Sequence, residues 1–122
     1  MKTLKSYFFI LLSFITVSAA AQSKTLKKDT IQVSGNCEMC KSTIEKAAKS
    51  AGATVAAWDT ETKILTVKYA VSKTNNNKIQ QAVAKSGYDT ELFKASDEAY
   101  NKLHACCKYD RTKDINTKKT EQ

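Results

Sequence analysis

The sequence contains no proline, only three glycines and a single histidine among its 122 residues. Thioredoxin-type thiol–disulfide oxidoreductases place a cis-proline beside their reactive dithiol, so the lack of proline argues against that class of enzyme. The single histidine, His104, has no serine or aspartate in a recognisable nucleophile arrangement, which leaves hydrolytic acid–base chemistry without support. These absences favour a protein that is not an enzyme.

Blocks of like charge are also missing. The 20 basic residues outnumber the 12 acidic residues, but they are spread along the chain. They are not interleaved with aromatic residues in the manner of proteins that bind single-stranded nucleic acids. We therefore interpret the net charge of +8 as a solvated basic surface and expect no nucleic-acid partner.

The first residues indicate a secretory signal peptide over residues 1–21. A basic start is followed by an apolar run over residues 7–17 and by small residues before Gln22. The run is shorter than the roughly 20 residues that a membrane-spanning helix needs. We expect cleavage before Gln22, a periplasmic or secreted location, and no stable membrane association after cleavage. The remaining 18 basic and 12 acidic residues then give a net charge of +6 on a chain long enough for one domain.

Hydrophobic periodicity predicts an alternation of strands and helices in the remaining chain. The predicted elements are a strand over 30–34, a helix over 38–51, hairpin strands over 54–58 and 64–69, a helix over 76–86 and a strand over 88–94. The order βαββαβ predicts an α+β, ferredoxin-like sandwich in which two helices pack on one face of a four-stranded antiparallel sheet.

Three segments flank this predicted domain, which spans residues 29–95. Residues 22–28 are polar and basic, and we expect a flexible lead-in. Ser96 precedes two acidic residues and predicts a short C-terminal helix that leads into a His/Cys/Cys segment, together residues 96–109. Residues 110–122 are charged and polar, which predicts a disordered tail.

The main candidate site is the Cys-x-x-Cys pair formed by Cys37 and Cys40. Cys37 is expected in the loop after the first strand and Cys40 in the first turn of the first helix. The positive end of the helix dipole lowers thiol pKa there and favours the thiolate that binds metal. Two thiolates without a neighbouring histidine or carboxylate suit copper(I) or mercury(II) better than zinc, which usually takes four ligands.

A second candidate cluster contains His104, Cys106 and Cys107. Adjacent cysteines rarely bridge each other because the resulting ring is strained. The cluster could complete the first site, form a second metal site, enter disulfides that include a bridge to Cys37 or Cys40, or remain as free thiols. If the two clusters meet in space, a cysteine-rich site could also hold zinc.

Four features occur together over roughly residues 29–95: the strand–Cys-x-x-Cys–helix entry, the βαββαβ order, Val67-Lys68-Tyr69 and Ser86-Gly87-Tyr88-Asp89. With these features the chain resembles the heavy-metal-associated domain family. That family includes copper chaperones, the N-terminal domains of copper-transporting ATPases and the periplasmic mercury-binding protein. The resemblance implies that Cys37 and Cys40 are the metal ligands and that Tyr88 lies close to the metal.

The chain departs from the family at the start of the metal loop. The family usually reads Gly-Met-x-Cys-x-x-Cys, whereas Ser34 and Gly35 stand at the Gly and Met positions here. In the family that Met packs under the loop, so its replacement bears on loop rigidity and metal preference. Met39, between the two cysteines, is one candidate to fill the space, and a partly exposed helix position is its alternative.

The predicted function is that of an exported protein that binds a soft heavy metal, with copper(I) first and zinc or mercury(II) as alternatives. It would act as a metal chaperone or a buffer, and a metal-transporting or metal-accepting protein is the expected partner. Two other functions compete with this prediction. One is an adaptor or binding domain held together by disulfides, and the other is a thiol–disulfide redox module.

Overall fold

A three-stranded antiparallel sheet and two helices share one hydrophobic core in the computed structural model, which describes residues 25–111. The strands follow the order β1-β3-β2 in the sheet. The elements are β1 (Leu26–Gln32), α1 (Glu38–Ser50), β2 (Ala53–Trp58), β3 (Ile64–Ala70), α2 (Asn76–Lys85), α3 (Asp97–Asn101) and a 3-10 turn (Ala105–Cys107). The predicted ferredoxin-like α+β architecture is confirmed.

The core forms because each element buries one side. In β3, Leu65, Val67 and Tyr69 are buried, while Thr66 and Lys68 on the opposite face are more exposed. Helices α1 and α2 close the core with residues at helical spacing, among them Ile44, Ala48, Ile79 and Val83. Asn75 caps α2 by accepting a 2.9 Å hydrogen bond from the Lys78 N–H.

The first strand begins earlier than predicted. Residues 22–28 were expected to be a flexible lead-in, but Leu26, Lys27 and Lys28 belong to β1 and pair with residues 68–70 of β3. Backbone hydrogen bonds to a seven-residue neighbour extend the strand here, although the Leu26–Lys28 side chains are exposed. The polar composition of this segment therefore reflects an exposed strand.

The predicted fourth strand over 88–94 is wrong as a regular element. In the described part of the chain, only an isolated bridge between Val33 and Thr90 joins this segment to the sheet. The chain turns immediately afterwards, because the Thr90 N–H donates to the Phe93 carbonyl at 2.7 Å and the Phe93 N–H donates to the Thr90 hydroxyl at 3.0 Å. The side chain of Thr90 thus replaces sheet pairing with a local turn.

The C-terminal segment over residues 96–111, which we name the strap, folds back against the domain. Ser96 caps α3 by accepting a hydrogen bond from the Ala99 N–H, as predicted. The expected disorder from residue 110 onward is wrong for Arg111, whose guanidinium contacts Asp89 and Asp97. The predicted signal peptide, Gln22 to Lys24 and residues 112–122 lie outside the described residues. Between residues 25 and 111, no helix is long and apolar enough to cross a membrane.

Candidate metal centre

The first two thiols lie where β1 gives way to α1. Cys37 is the N-cap residue of α1, with extended backbone angles, and its carbonyl accepts the first helical hydrogen bond from the Lys41 N–H at 3.0 Å. Cys40 follows in the first turn with its side chain fully buried. The two Sγ atoms lie 3.4 Å apart. The Cys-x-x-Cys spacing therefore brings the two sulfurs together at the N-terminal end of a helix, as predicted from the sequence.

Trp58 supports this loop from below. Its indole N–H donates a 3.1 Å hydrogen bond to the Val33 carbonyl, and its ring lies directly under Gly35. A Cβ atom at Gly35 would stand 2.9 Å from two carbons of the ring, so the indole requires glycine there. Met39, the candidate from the sequence, is 48% exposed and does not fill this space. The single tryptophan of the chain, at the end of a strand, was the signal that sequence reasoning missed.

The strap adds a third thiol to the pair. Cys107 lies in the 3-10 turn, is 1% exposed, and places its Sγ 3.8 Å from the Sγ of Cys37. The Cys106 carbonyl lies 3.7 Å from the Cys37 sulfur, in a position to accept a weak hydrogen bond from the thiol. The Sγ atoms of Cys37, Cys40 and Cys107 all lie within 4.8 Å of one another. Three thiols from two distant parts of the sequence therefore form one cluster, and all of them are free of disulfide bonds.

Arg111 and two tyrosines hold the strap in place. The Tyr109 hydroxyl donates to the Gly87 carbonyl and accepts from the Asp89 N–H, each at 2.9 Å. The Tyr100 hydroxyl donates to the Tyr109 carbonyl at 2.7 Å. Arg111 binds both carboxylate oxygens of Asp89 at 3.0 and 3.1 Å. Its hydrogen bonds to Asp89 are the main reason that the pKa of Arg111 is raised above its usual value.

Tyr88 lies next to the cluster, as the family resemblance implied. The side chain is 1% exposed, and its ring stacks on that of Tyr109 with centroids 6.0 Å apart. Burial raises the pKa of Tyr88, and the adjacent thiols of Cys107 and Cys40 raise it further. Tyr88 therefore stays a neutral phenol beside the sulfurs and contributes no charge of its own.

The thiols differ in their readiness to ionise. The pKa of Cys37 is lowered to about 7, mainly by the backbone N–H of Cys40 and then by the Cys40 thiol. Burial, together with the neighbouring Cys40 and Cys37 thiols, raises the pKa of Cys107 to about 12. Because thiolates bind soft metals, Cys37 is the sulfur prepared to make the first bond to an ion.

The remaining members of the second candidate cluster do not join the group of three converging thiols. His104 is exposed and contributes its carbonyl to the 3-10 turn, where it accepts from the Cys107 N–H at 2.8 Å. Cys106 is exposed, with its Sγ 3.9 Å from that of Cys107. Among residues 25–111, the group of converging ligand atoms contains neither His104 nor Cys106. The structure thus brings one residue of the second cluster to the first.

Comparisons with known proteins cover the part of the chain that contains Cys37 and Cys40. The model of the heavy-metal-associated domain matches residues 30–89. The CopZ metallochaperone is 30% identical, with a TM-score of 0.50 over 52% of this chain and 98% of that one. Oxidized MerP from Ralstonia metallidurans CH34 is 28% identical, with a TM-score of 0.51 over 54% of this chain and 94% of that one.

A third solved structure is similar to the same region. It is the Cu(I)-loaded N-terminal domain of a potential copper-translocating P-type ATPase from Bacillus subtilis. It is 25% identical, with a TM-score of 0.52 over 60% of this chain and 94% of that one. No curated protein sequence gives a significant match. The fold, the Cys-x-x-Cys pair at the start of α1 and the matched residues lead to one conclusion: the chain belongs to the heavy-metal-associated domain family.

Proposed function

We propose that this protein is exported and binds copper(I) through the thiolates of Cys37 and Cys40, as a metal chaperone or buffer. The 3.4 Å separation of the two sulfurs at the start of α1 is the observation that carries this proposal. A helix N-terminus stabilises the negative charge of thiolates. At the start of α1, the backbone N–H of Cys40 lowers the pKa of Cys37.

Copper(I) suits this donor set better than zinc does. All the ligand atoms of the cluster are sulfurs, and soft thiolates favour soft ions such as copper(I) and mercury(II). Zinc in structural sites takes four ligands, and the described cluster offers three sulfurs. One of the similar structures is the Cu(I)-loaded domain of a potential copper-translocating ATPase, which supports the choice of a soft metal.

Transfer of the metal to another protein is part of the proposal. Without residues 1–21 the chain carries six more basic than acidic residues, so an acidic face on a metal-accepting partner would be attracted electrostatically. The half-buried Cys37, the most accessible sulfur of the cluster, is where a partner's thiolate would first reach the ion. We place this exchange outside the cytoplasm, because residues 1–21 have the pattern of a signal peptide.

The central experiment is anaerobic titration of the reduced protein with copper(I) in the presence of a competing chelator. We expect tight binding of about one ion per chain, as the single cluster offers one site. The double variant Cys37→Ser/Cys40→Ser should lose this binding. Cys106→Ser is the matched control, because it removes an exposed thiol from the same chain.

Two outcomes would contradict the proposal. Full affinity in the double variant would remove Cys37 and Cys40 as ligands. Efficient reduction of insulin by the metal-free protein would instead support the redox alternative, which the low pKa of Cys37 also favours. Export is tested separately by measuring the mass of the protein isolated from its native cell. The chain of an exported protein should begin at Gln22.

A further inference from the structure

The third thiol comes from outside the family domain. The match to the family ends at residue 89, and Cys107 lies eighteen residues beyond it, at the end of the strap. Its sulfur nevertheless stands 3.8 Å from that of Cys37, closer than it stands to the Sγ of its own neighbour Cys106, at 3.9 Å. The strap therefore adds a potential ligand that the matched domain does not contain.

The buried sulfur of Cys107 faces particular groups. A buried cysteine usually acts as a small apolar residue, and the neighbours of its sulfur then decide its role. The Cys107 sulfur lies among polar groups, namely the thiols of Cys37 and Cys40 and the hydroxyl of Tyr88. Cys106 shares the same turn but is exposed. The turn thus selects one of two adjacent cysteines and directs it to the pair at α1.

The spacing of the sulfurs also fits three-fold binding. With metal–sulfur bonds of about 2.3 Å, sulfurs lie about 4.0 Å apart around a trigonal ion and about 4.6 Å apart across a linear one. The Cys37–Cys40 and Cys37–Cys107 separations are 3.4 and 3.8 Å. Linear binding by Cys37 and Cys40 would therefore force these sulfurs apart by about 1.2 Å, and trigonal binding by about half as much.

The strap is built to hold Cys107 at this place. Tyr109, two residues later, is 3% exposed and bridges the Gly87 carbonyl and the Asp89 N–H through its hydroxyl. Gly87 leaves no room for a side chain, because a Cβ atom there would stand 2.8 Å from Leu103. Arg111 then ties the end of the strap to Asp89. These contacts hold the turn against the domain.

We propose that Cys107 is the third ligand of the metal site, so that one soft ion is bound by the thiolates of Cys37, Cys40 and Cys107. The ion class is one that accepts three sulfur ligands, and copper(I) is the first candidate. The thiol proton of Cys107 passes to solvent when its sulfur bonds to the ion. This inference rests on the proposed function, since it assigns a ligand to the same site.

The test counts sulfur ligands by X-ray absorption at the copper edge. The reduced full-length protein is loaded anaerobically with one equivalent of copper(I), and its mass under native conditions confirms one ion in a monomer. We expect three sulfurs in the unmodified protein, three in Cys106→Ser and two in Cys107→Ser. The affinity of Cys107→Ser for copper(I) should fall by about tenfold to 100-fold. Changes around a metal site commonly cause a loss of this size.

Each other outcome has a definite meaning. Two sulfurs in the unmodified protein would overturn the role of Cys107 and leave the Cys37 and Cys40 proposal standing. No copper binding at all would defeat the proposed function itself. Loss of the third sulfur in Cys106→Ser instead of Cys107→Ser, or three sulfurs only in a dimer, would also overturn the inference. The counts on the unmodified protein and on Cys106→Ser together decide the matter even if Cys107→Ser does not fold.

Discussion

The loop at the start of α1 and the strap each carry two cysteines, and they shift the pKa of one cysteine each, Cys37 and Cys107, in opposite directions. In the loop, Cys37 is half-buried beside helix N–H groups, and its pKa falls to about 7. In the strap, Cys107 is enclosed by side chains, and burial raises its pKa to about 12. The two sulfurs lie 3.8 Å apart. The comparison teaches that backbone dipoles and burial, more than proximity, decide how a thiol ionises.

The two regions also rest on different supports. The loop lies on the indole of Trp58, so its support is apolar packing with one hydrogen bond to the Val33 carbonyl. The strap is held by the Arg111 pair with Asp89 and by the hydroxyl of Tyr109. Variants of one support should therefore spare the other region, and the predictions below use this difference.

The largest expected effect concerns thiol reactivity in the reduced, metal-free protein. At pH 7, about half of Cys37 but almost none of Cys107 should be thiolate, because the pKa of Cys37 is lowered to about 7 and that of Cys107 is raised well above its usual value. We expect iodoacetamide to modify Cys37 with a midpoint near pH 7, while Cys107 stays unmodified below about pH 10. Peptide mapping by mass spectrometry across a pH series measures both sites.

The same shifts predict opposite effects of pH on stability. Folding lowers the pKa of Cys37, so its contribution is present above the ordinary thiol pKa and is lost as the pH falls through about 7. Folding raises the pKa of Cys107, so its contribution to stability is present at neutral pH and is lost as the pH rises towards about 12.

Equal alkylation of Cys37 and Cys107 at pH 7 in the folded protein would contradict the predicted contrast between the two regions.

The next effect in size is that of Trp58→Ala, which removes the support of the loop. Truncation of this buried side chain should lower the free energy of unfolding by about 3 to 5 kcal/mol. Denaturant unfolding measures the loss, and Val55→Ala on the exposed face of β2 is the control. A loss below about 1 kcal/mol is typical of substitutions at exposed positions. Such a small loss for Trp58→Ala would show that the indole does not support the loop.

The smallest of these effects is expected for Arg111→Ala, which loosens the strap. Removal of the charged hydrogen bonds to Asp89 should cost about 2 kcal/mol in the free energy of unfolding. Copper(I) affinity should also fall, because Cys107 would be held less firmly. In a Cys107→Ser background the affinity loss should disappear, and Lys102→Ala, at an exposed pair with Glu98, is the matched control. An unchanged affinity loss in that background would mean that Arg111 does not act through Cys107.

The sequence predicts most of the fold because its periodicities are local. Leu65, Val67 and Tyr69 alternate along one strand, and Gly52 and Gly87 adopt positive φ angles just after the two long helices. The bounds of the strands at the edges of the sheet were harder to predict, because they depend on the segments with which those strands pair. Polar Lys27 and Lys28 became strand through their pairing with β3, and Thr90 ended the fourth strand through a side-chain hydrogen bond.

The candidate site divides in the same way. Cys37 and Cys40 come together through a helix turn, so their spacing in the sequence is enough to predict their proximity. Cys106 and Cys107 are neighbours in the sequence, which does not show which of the two sulfurs is buried. The 3-10 turn and the contacts of Tyr109 decide this. Trp58 supports a loop more than twenty residues away, a contact that only the folded chain reveals.

The shortened fourth strand leaves part of the sheet border without a regular neighbour. In residues 25–111, β1 is hydrogen-bonded to β3 on one side, and its other side meets only the bridge that starts at Val33. Such a border invites a strand from another molecule unless charge opposes it. Lys27, Lys28 and Asp29 occupy consecutive positions of β1. A stretch that reads as a polar lead-in thus carries charges that oppose edge-to-edge pairing with another molecule.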